Sequence, residues 1–230
     1  MSQRKIQYLF MSYLMLLIMM LPSAAALTVD DSEVFILEAP EYSVYFIYAD
    51  FTKGPGSHID WTATGYIKGL TRNTQFEKLS SDGNVIDQTT RAPLISDKAI
   101  IMSGGPIVQK LVGYYESNRI APVYFGGENG LPYFYKKDGA RIDETGIMPS
   151  NHEDVFVIEH FLDNSGNAVL IIYGYGGLGT FAGARLFKSV IYPNIRSYTH
   201  SYYIYHWFDD NGDCFPDLNE IDFTPIACGD

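Results

Sequence analysis

The chain has 230 residues, 27 acidic against 16 basic, and a formal net charge of -11 at neutral pH. That balance argues against nucleic acid and anionic headgroups as partners and favours cations. An apolar content of 47% argues against wholesale disorder, and the length allows one large domain or one and a half ordinary ones.

The amino terminus addresses the compartment. Arg4 and Lys5 precede an apolar run over 8–21, then Pro22, Ser23 and the small residues Ala24, Ala25 and Ala26. This is the pattern of a signal peptide over 1–26, with cleavage after Ala26. Extending the run to Leu27 gives about 20 apolar residues, enough to span a bilayer, so an uncleaved anchor is the alternative. Membrane contact is expected only in that second case. Either way the rest of the chain is expected outside the cell, at its surface or in its envelope.

Residues 27–95 read as a β-rich portion. Strands are expected over 33–37 and 42–48, with Pro40 as a break and a loop around Gly54, Pro55 and Gly56. Residues 60–70, with Trp61, Tyr66 and Ile67, fit a strand or a short helix. The polar stretch 72–91 reads as a surface excursion.

Residues 96–195 are sharper. An apolar run over 98–102 ends in Ser103, Gly104, Gly105 and Pro106, and Ile107, Val108, Leu111, Val112 and Tyr115 follow at helical spacing. Strand, glycine turn and helix make half of a βαβ unit, with Pro106 suited to a first helical turn. Segments 123–125 and 131–135 suggest a hairpin. Strands over 154–161 and 168–173 flank the turn Asp163, Asn164, Ser165, Gly166. A second glycine turn over 174–179 opens a helix over 180–191, through Phe181, Ala184, Leu186 and Phe187. In 196–230, Tyr202, Tyr203, Tyr205, Trp207 and Phe208 form an aromatic strand. The expected fold is α/β: a β-rich amino-terminal portion, then a central mixed sheet carrying two helices on glycine-rich turns.

The strand ending in Gly-Gly-Pro, the hairpin of 156–160 with 168–172, and the following Gly-x-Gly-Gly-x-Gly-Thr resemble the α/β domain that recurs in archaeal S-layer and related envelope proteins. The resemblance covers residues 100–192 and implies a structural role at the envelope, with other envelope proteins or further copies of the chain as partners. It carries over no catalytic residues.

The sharpest local motif lies near the carboxyl terminus. With Asp209 at position 1 of a twelve-residue calcium loop, Asn211 falls at 3, Asp213 at 5, Phe215 (through its carbonyl) at 7, Asp217 at 9 and Glu220 at 12. A hard cation needs six to eight oxygens, and a tight loop supplies them from alternate side chains. The segment resembles the EF-hand-like loops of dockerins and extracellular calcium-repeat proteins, except that Cys214 stands at position 6 where glycine is usual. Calcium is therefore the expected cofactor. Cys214 and Cys228, the only cysteines, are expected to form a disulfide in an oxidising compartment, worth on the order of 3 kcal/mol.

Other constellations are read as structural. Gly174, Gly176 and Gly179 match the dinucleotide fingerprint, but no acidic residue lies about 20 positions on, so a tight turn is expected. Ser103 lacks the glycine two residues earlier that a nucleophile elbow requires. His152, Glu153, Asp154 and His160, or His200 and His206 with Asp209, show no ligand spacing. The sequence thus points to an exported, calcium-stabilised structural or interaction protein with no catalytic set; a secreted hydrolase or a surface glycan-binding module is the alternative.

Overall fold

The computed structural model describes residues 26–33, 37, 44–48, 52, 54, 56–71, 77–79 and 85–230. The expected signal segment (Ala26 apart), most of the expected strand over 33–37 and much of 72–84 lie outside the described residues.

The protein is α/β. In chain order its main elements are β1 (Val44–Tyr48), α1 (Gly56–Lys68), β2 (Glu77–Leu79), β3 (Ala99–Ser103), α2 (Lys110–Ser117), β4 (Val123–Glu128), β5 (Leu131–Lys136), β6 (Glu153–Leu162), β7 (Ala168–Gly174), α3 (Gly177–Leu186), β8 (Tyr202–Phe208) and β9 (Ala227–Gly229). Among the described residues seven strands form one sheet in the order β2-β1-β3-β7-β6-β8-β9, and β4–β5 pair separately. The β2, β1, β3 and β7 strands run parallel, and β6, β8 and β9 extend the sheet antiparallel. All three mature segments distinguished in the sequence contribute strands to this sheet.

Both faces are covered, which explains why β3 and β7 read as continuous apolar runs rather than alternating ones: every residue in them is buried. On one face Phe46, Ile101, Ile158, Ile172, Tyr205 and Trp207 pack under α1 and α3. On the other, Ile47, Met102, Val157, Ile171, Tyr173 and Ile204 pack under α2 and the hairpin. The period of two along each strand assigns these residues to opposite faces. The ambiguous stretch 60–70 is helical: α1 buries Ala63, Thr64 and Ile67 while Trp61 remains half exposed.

The hairpin is tied to the sheet by acids. Glu159 of β6, fully buried, accepts the Val123 N–H at 3.3 Å through Oε2, and its Oε1 has no partner among the described residues. Glu116 of α2 accepts the Phe125 N–H at 3.2 Å and the Tyr173 hydroxyl. Burial pushes the Glu116 carboxyl up to about 7. Burial, followed by the neighbouring Glu116 charge, pushes Glu159 well above the carboxylate range. Burial likewise lifts Asp60 to about 6 and Asp154 to about 7. His160, fully buried, is pulled down by burial to about 4.

These shifts fix a pH dependence. A carboxyl with a raised folded pKa contributes stability that is complete below its unfolded value and is lost as pH rises through the folded one. The buried histidine has the opposite sign, losing stability as pH falls from 6.5 toward about 4. The carboxyls outnumber it, so the melting temperature should rise as pH is lowered from about 8 to about 5. Glu116→Gln should flatten that rise, measured by calorimetry across the range.

Candidate functional site

The glycine-rich turn after β7 is closed by the chain itself. Asp154 lies beneath it, and its Oδ2 accepts the N–H groups of Gly176 at 2.8 Å and Gly179 at 3.1 Å. Its Oδ1 accepts Val155 at 2.8 Å and Tyr175 at 3.1 Å. A helix amino terminus presents unpaired N–H groups and the positive end of a dipole, the same features that draw a phosphate. Here a carboxylate fills that place. A Cβ at position 179 would run into the Asp154 carboxylate, so the third glycine of the pattern makes room for Asp154.

The crevice between β1 and β3 is where helices leave to opposite faces, the usual ligand position of an open α/β sheet. It is plugged by Gln109, fully buried, whose Nε2 donates to the carbonyls of Ile47 at 2.7 Å and Ser103 at 3.0 Å. The open cleft lies one strand over, across the carboxyl ends of β3 and β7. It measures about 180 Å³ and is lined by the starts of α1 and α3, the turn Gly105 to Val108, and the rings of Phe125, Tyr173 and Tyr175. Asp60 and Thr180 supply its polar groups together with Ser57. Gly104, at φ 99°, lets the post-β3 turn approach Asp60; a Cβ there would lie 3.0 Å from Asp60 Oδ2 and 2.9 Å from Val108 Cγ2.

The carboxyl-terminal loop carries the residues singled out in the sequence, but their carboxylates do not converge: among the described residues only Asp209 belongs to a group of candidate metal ligands, and its companions there are His152 and Cys214. Asp209, buried, accepts the N–H groups of Gly212 at 2.7 Å and Cys214 at 2.9 Å. Asn211 accepts from Asp213 at 2.8 Å, and Asp213 from Phe215 at 2.9 Å. Asp217 caps a short 3-10 turn, Leu218–Glu220, in a reciprocal capping box with Glu220. Glu220, also buried, turns back to accept from Asp217 at 3.0 Å, Asp210 at 3.2 Å and Asn211 at 3.3 Å. Cys214 adopts φ 62°, the left-handed conformation for which position 6 usually carries glycine. Asp217 also receives Arg185 Nη1 at 3.1 Å.

The expected disulfide is not formed: Cys214 and Cys228 are both free. Cys228 lies on β9 opposite Tyr203, whereas Cys214 Sγ lies 3.7 Å from Nε2 of His152, at the far end of β8 where Asp209 N–H meets the His152 carbonyl. Five strand residues separate those ends, roughly 17 Å at the ordinary rise, far beyond disulfide reach. Their spacing of fourteen in sequence contains no trace of the strand between them.

His152, set aside in the sequence for want of ligand spacing, lies with its Nδ1 2.6 Å from Asp209 Oδ2. These two and Cys214 form a group whose candidate ligand atoms all lie within 4.8 Å of one another. Asp154 was likewise set aside, and Asp60 was not singled out, since both acquire their roles from distant elements. The remaining histidines do not converge: His160 Nδ1 meets the Thr28 carbonyl at 2.7 Å, and His206 Nε2 meets Glu153 at 2.8 Å.

Comparison with family models, curated proteins and solved structures returns no match. Among the described residues no helix is long and apolar enough to cross a membrane.

Asp154→Ala would remove the acceptor shared by four N–H groups, those of Val155 and Gly179 in buried surroundings. The expected loss is roughly 3–5 kcal/mol of unfolding free energy, measured by urea denaturation. Loss of under about 1 kcal/mol would show that the carboxylate does not hold the turn.

Proposed function

We propose that this chain is an exported structural or interaction component of a cell envelope, with its carboxyl-terminal segment ordered by calcium. The observation that carries the reading is the left-handed backbone at Cys214, at the loop position where a calcium loop usually has glycine, in a turn whose amides are received by Asp209 and Glu220. Six oxygen-bearing positions fall at calcium-loop spacing, and the donors are hard oxygens suited to that ion. Asp209, Asn211, Asp213, Asp217 and Glu220 would offer side-chain oxygens and Phe215 its carbonyl; bound calcium would supply only charge neutralisation and a rigid centre. The leader-like amino terminus and the likeness of residues 100–192 to envelope domains support the location, with other envelope proteins or a second copy as partners.

The loop is wired to the core, so its occupancy would be felt globally. Trp207 Nε1 donates to Glu220 at 3.4 Å, Arg185 of α3 donates to the Pro216 carbonyl at 2.5 Å, and the Phe215 ring packs 5.0 Å from that of Phe181.

Calorimetry of the mature chain in millimolar calcium and in chelator tests this. Binding to the native state alone raises the melting temperature by mass action, about 2.7 kcal/mol of stabilisation at a hundredfold excess over Kd. Asp213→Ala should remove the shift, and an unchanged wild-type melting temperature would remove calcium from the reading. Cys214→Gly should raise the unfolding free energy by about 1 kcal/mol, because a non-glycine residue at positive φ costs roughly that much. Urea denaturation of the two chains measures it.

A further inference from the structure

Where the terminal loop meets the start of β6, three side chains of different chemistry converge. Cys214 Sγ, a ring nitrogen of His152 and a carboxylate oxygen of Asp209 all lie within 4.8 Å of one another. The thiol stands 3.8 Å from Nδ1 and 3.7 Å from Nε2 of the imidazole, and Nδ1 lies 2.6 Å from Asp209 Oδ2. The His152 side chain is 53% exposed, so solvent reaches the group through the imidazole. Cys214 is free, only partly buried, and takes φ 62°, a conformation that glycine adopts at lower cost. Neither a disulfide, nor core packing, nor the backbone therefore accounts for a cysteine at this position.

We infer that His152, Asp209 and Cys214 bind a divalent transition ion of the zinc class, with solvent completing its shell. The donor set selects the ion. A thiolate and an imidazole suit zinc and cobalt, whereas calcium takes oxygen and would leave both unused. Bonds of about 2.3 Å to sulfur and about 2.0–2.1 Å to nitrogen or oxygen place tetrahedral ligands about 3.4–3.6 Å apart. The sulfur-to-nitrogen separations are already close to that value. The Asp209 side chain is itself fully buried, but the imidazole lying against its Oδ2 is the exposed group. Turning that ring outward by about 1 Å opens the oxygen to an arriving ion and brings the pair to ligand spacing. The thiol is nearly equidistant from both ring nitrogens, so it faces the ring rather than a lone pair. Rotation about the Cys214 Cα–Cβ bond, which its partial exposure permits, completes the closure. Binding releases the thiol proton to solvent, and the thiolate and the Asp209 carboxylate then balance the two positive charges. The amides of Gly212 and Cys214 hold that carboxylate, the outer support that metal ligands ordinarily have. This site goes beyond the calcium reading and shares only Asp209 with its ligand set.

The test is titration of the reduced, metal-free mature chain with cobalt(II), whose bond to a thiolate gives a charge-transfer band in the near ultraviolet. One equivalent of cobalt should raise that band and one of zinc should bleach it, with a zinc Kd of about 10 μM or tighter. Cys214→Gly relieves the positive φ and so should fold at least as well, yet it should lose the band and weaken zinc binding at least about tenfold. His152→Ala, at an exposed side chain, should weaken zinc by a similar factor. The proposal is overturned by absence of the band, or by zinc affinity within about twofold of wild type in either variant. A band that persists in Cys214→Gly and disappears in Cys228→Ser overturns it as well. Asp213→Ala separates the two metal readings, since it should abolish the calcium-dependent rise in melting temperature and leave the cobalt band intact. A wild-type chain with the band and no calcium response keeps this site and ends the calcium reading; the converse pattern ends this proposal alone.

Discussion

One buried carboxylate sets the geometry of the central layer. Asp154 joins β6, on which it resides, to the turn that follows β7 and to the first residues of α3. A charge out of water is costly, and four N–H donors are what make it tolerable there. Because two of those donors, Gly176 and Gly179, are otherwise unpaired groups of a helix terminus, two costs offset each other. The position of α3 follows, and with it the pairing of α3 with α1. Gly177 lies so near Gly56 that a Cβ at 177 would come within 2.8 Å of the Gly56 carbonyl oxygen. Thr180 then stands beside Asp60, and the cleft takes its shape from that approach.

The same device recurs in several segments where the backbone leaves regular structure. Glu116 and Glu159 receive N–H groups of the hairpin; Asp163 receives those of Ser165 and Asn167 in the turn between β6 and β7; Asp209 and Glu220 receive those of the terminal loop. Irregular segments have no ladder to satisfy their amides, and carboxylate oxygens are the strongest acceptors available. Among the described residues seven of the 27 acids are buried, so the number of acids overstates how many face solvent.

This also explains what could be read in advance. The expected strands over 154–161 and 168–173, the hairpin of 123–135 and the helix after the second glycine turn matched, because continuous burial or period-3.6 patterning is a local signal. The helix after the first glycine turn is shorter than expected: it starts at Lys110, so Pro106 and Ile107 lie in the turn before it and Ile107 is 77% exposed. The loop around Asp209 was visible because its turns and its ligand pattern call for the same Asp and Asn residues at the same offsets. Helix α1 was ambiguous because its core face is small, Ala63, Thr64 and Ile67, while Trp61 faces outward. Asp60 and Asp154 carry no mark in their own neighbourhoods. Asp154 meets amides 22 and 25 residues away, and Asp60 acquires its environment from elements on three sides. The disulfide expectation failed for the same reason in reverse, since proximity along the chain was taken for proximity across a strand.

The two ends of α3 are held by different acids. Asp154 fixes the first turn, and Arg185 at the last turn reaches Asp217 and the Pro216 carbonyl in the terminal loop. The loop in turn meets the edge of the sheet at His152, two residues before Asp154. A closed circuit results: β6 to α3 through Asp154, α3 to the loop through Arg185, and the loop back to β6 through Asp209 and His152. A helix pinned at both ends inside such a circuit cannot slide or tilt without breaking charged contacts at one end. The cleft wall formed by its first turn is thereby held in place.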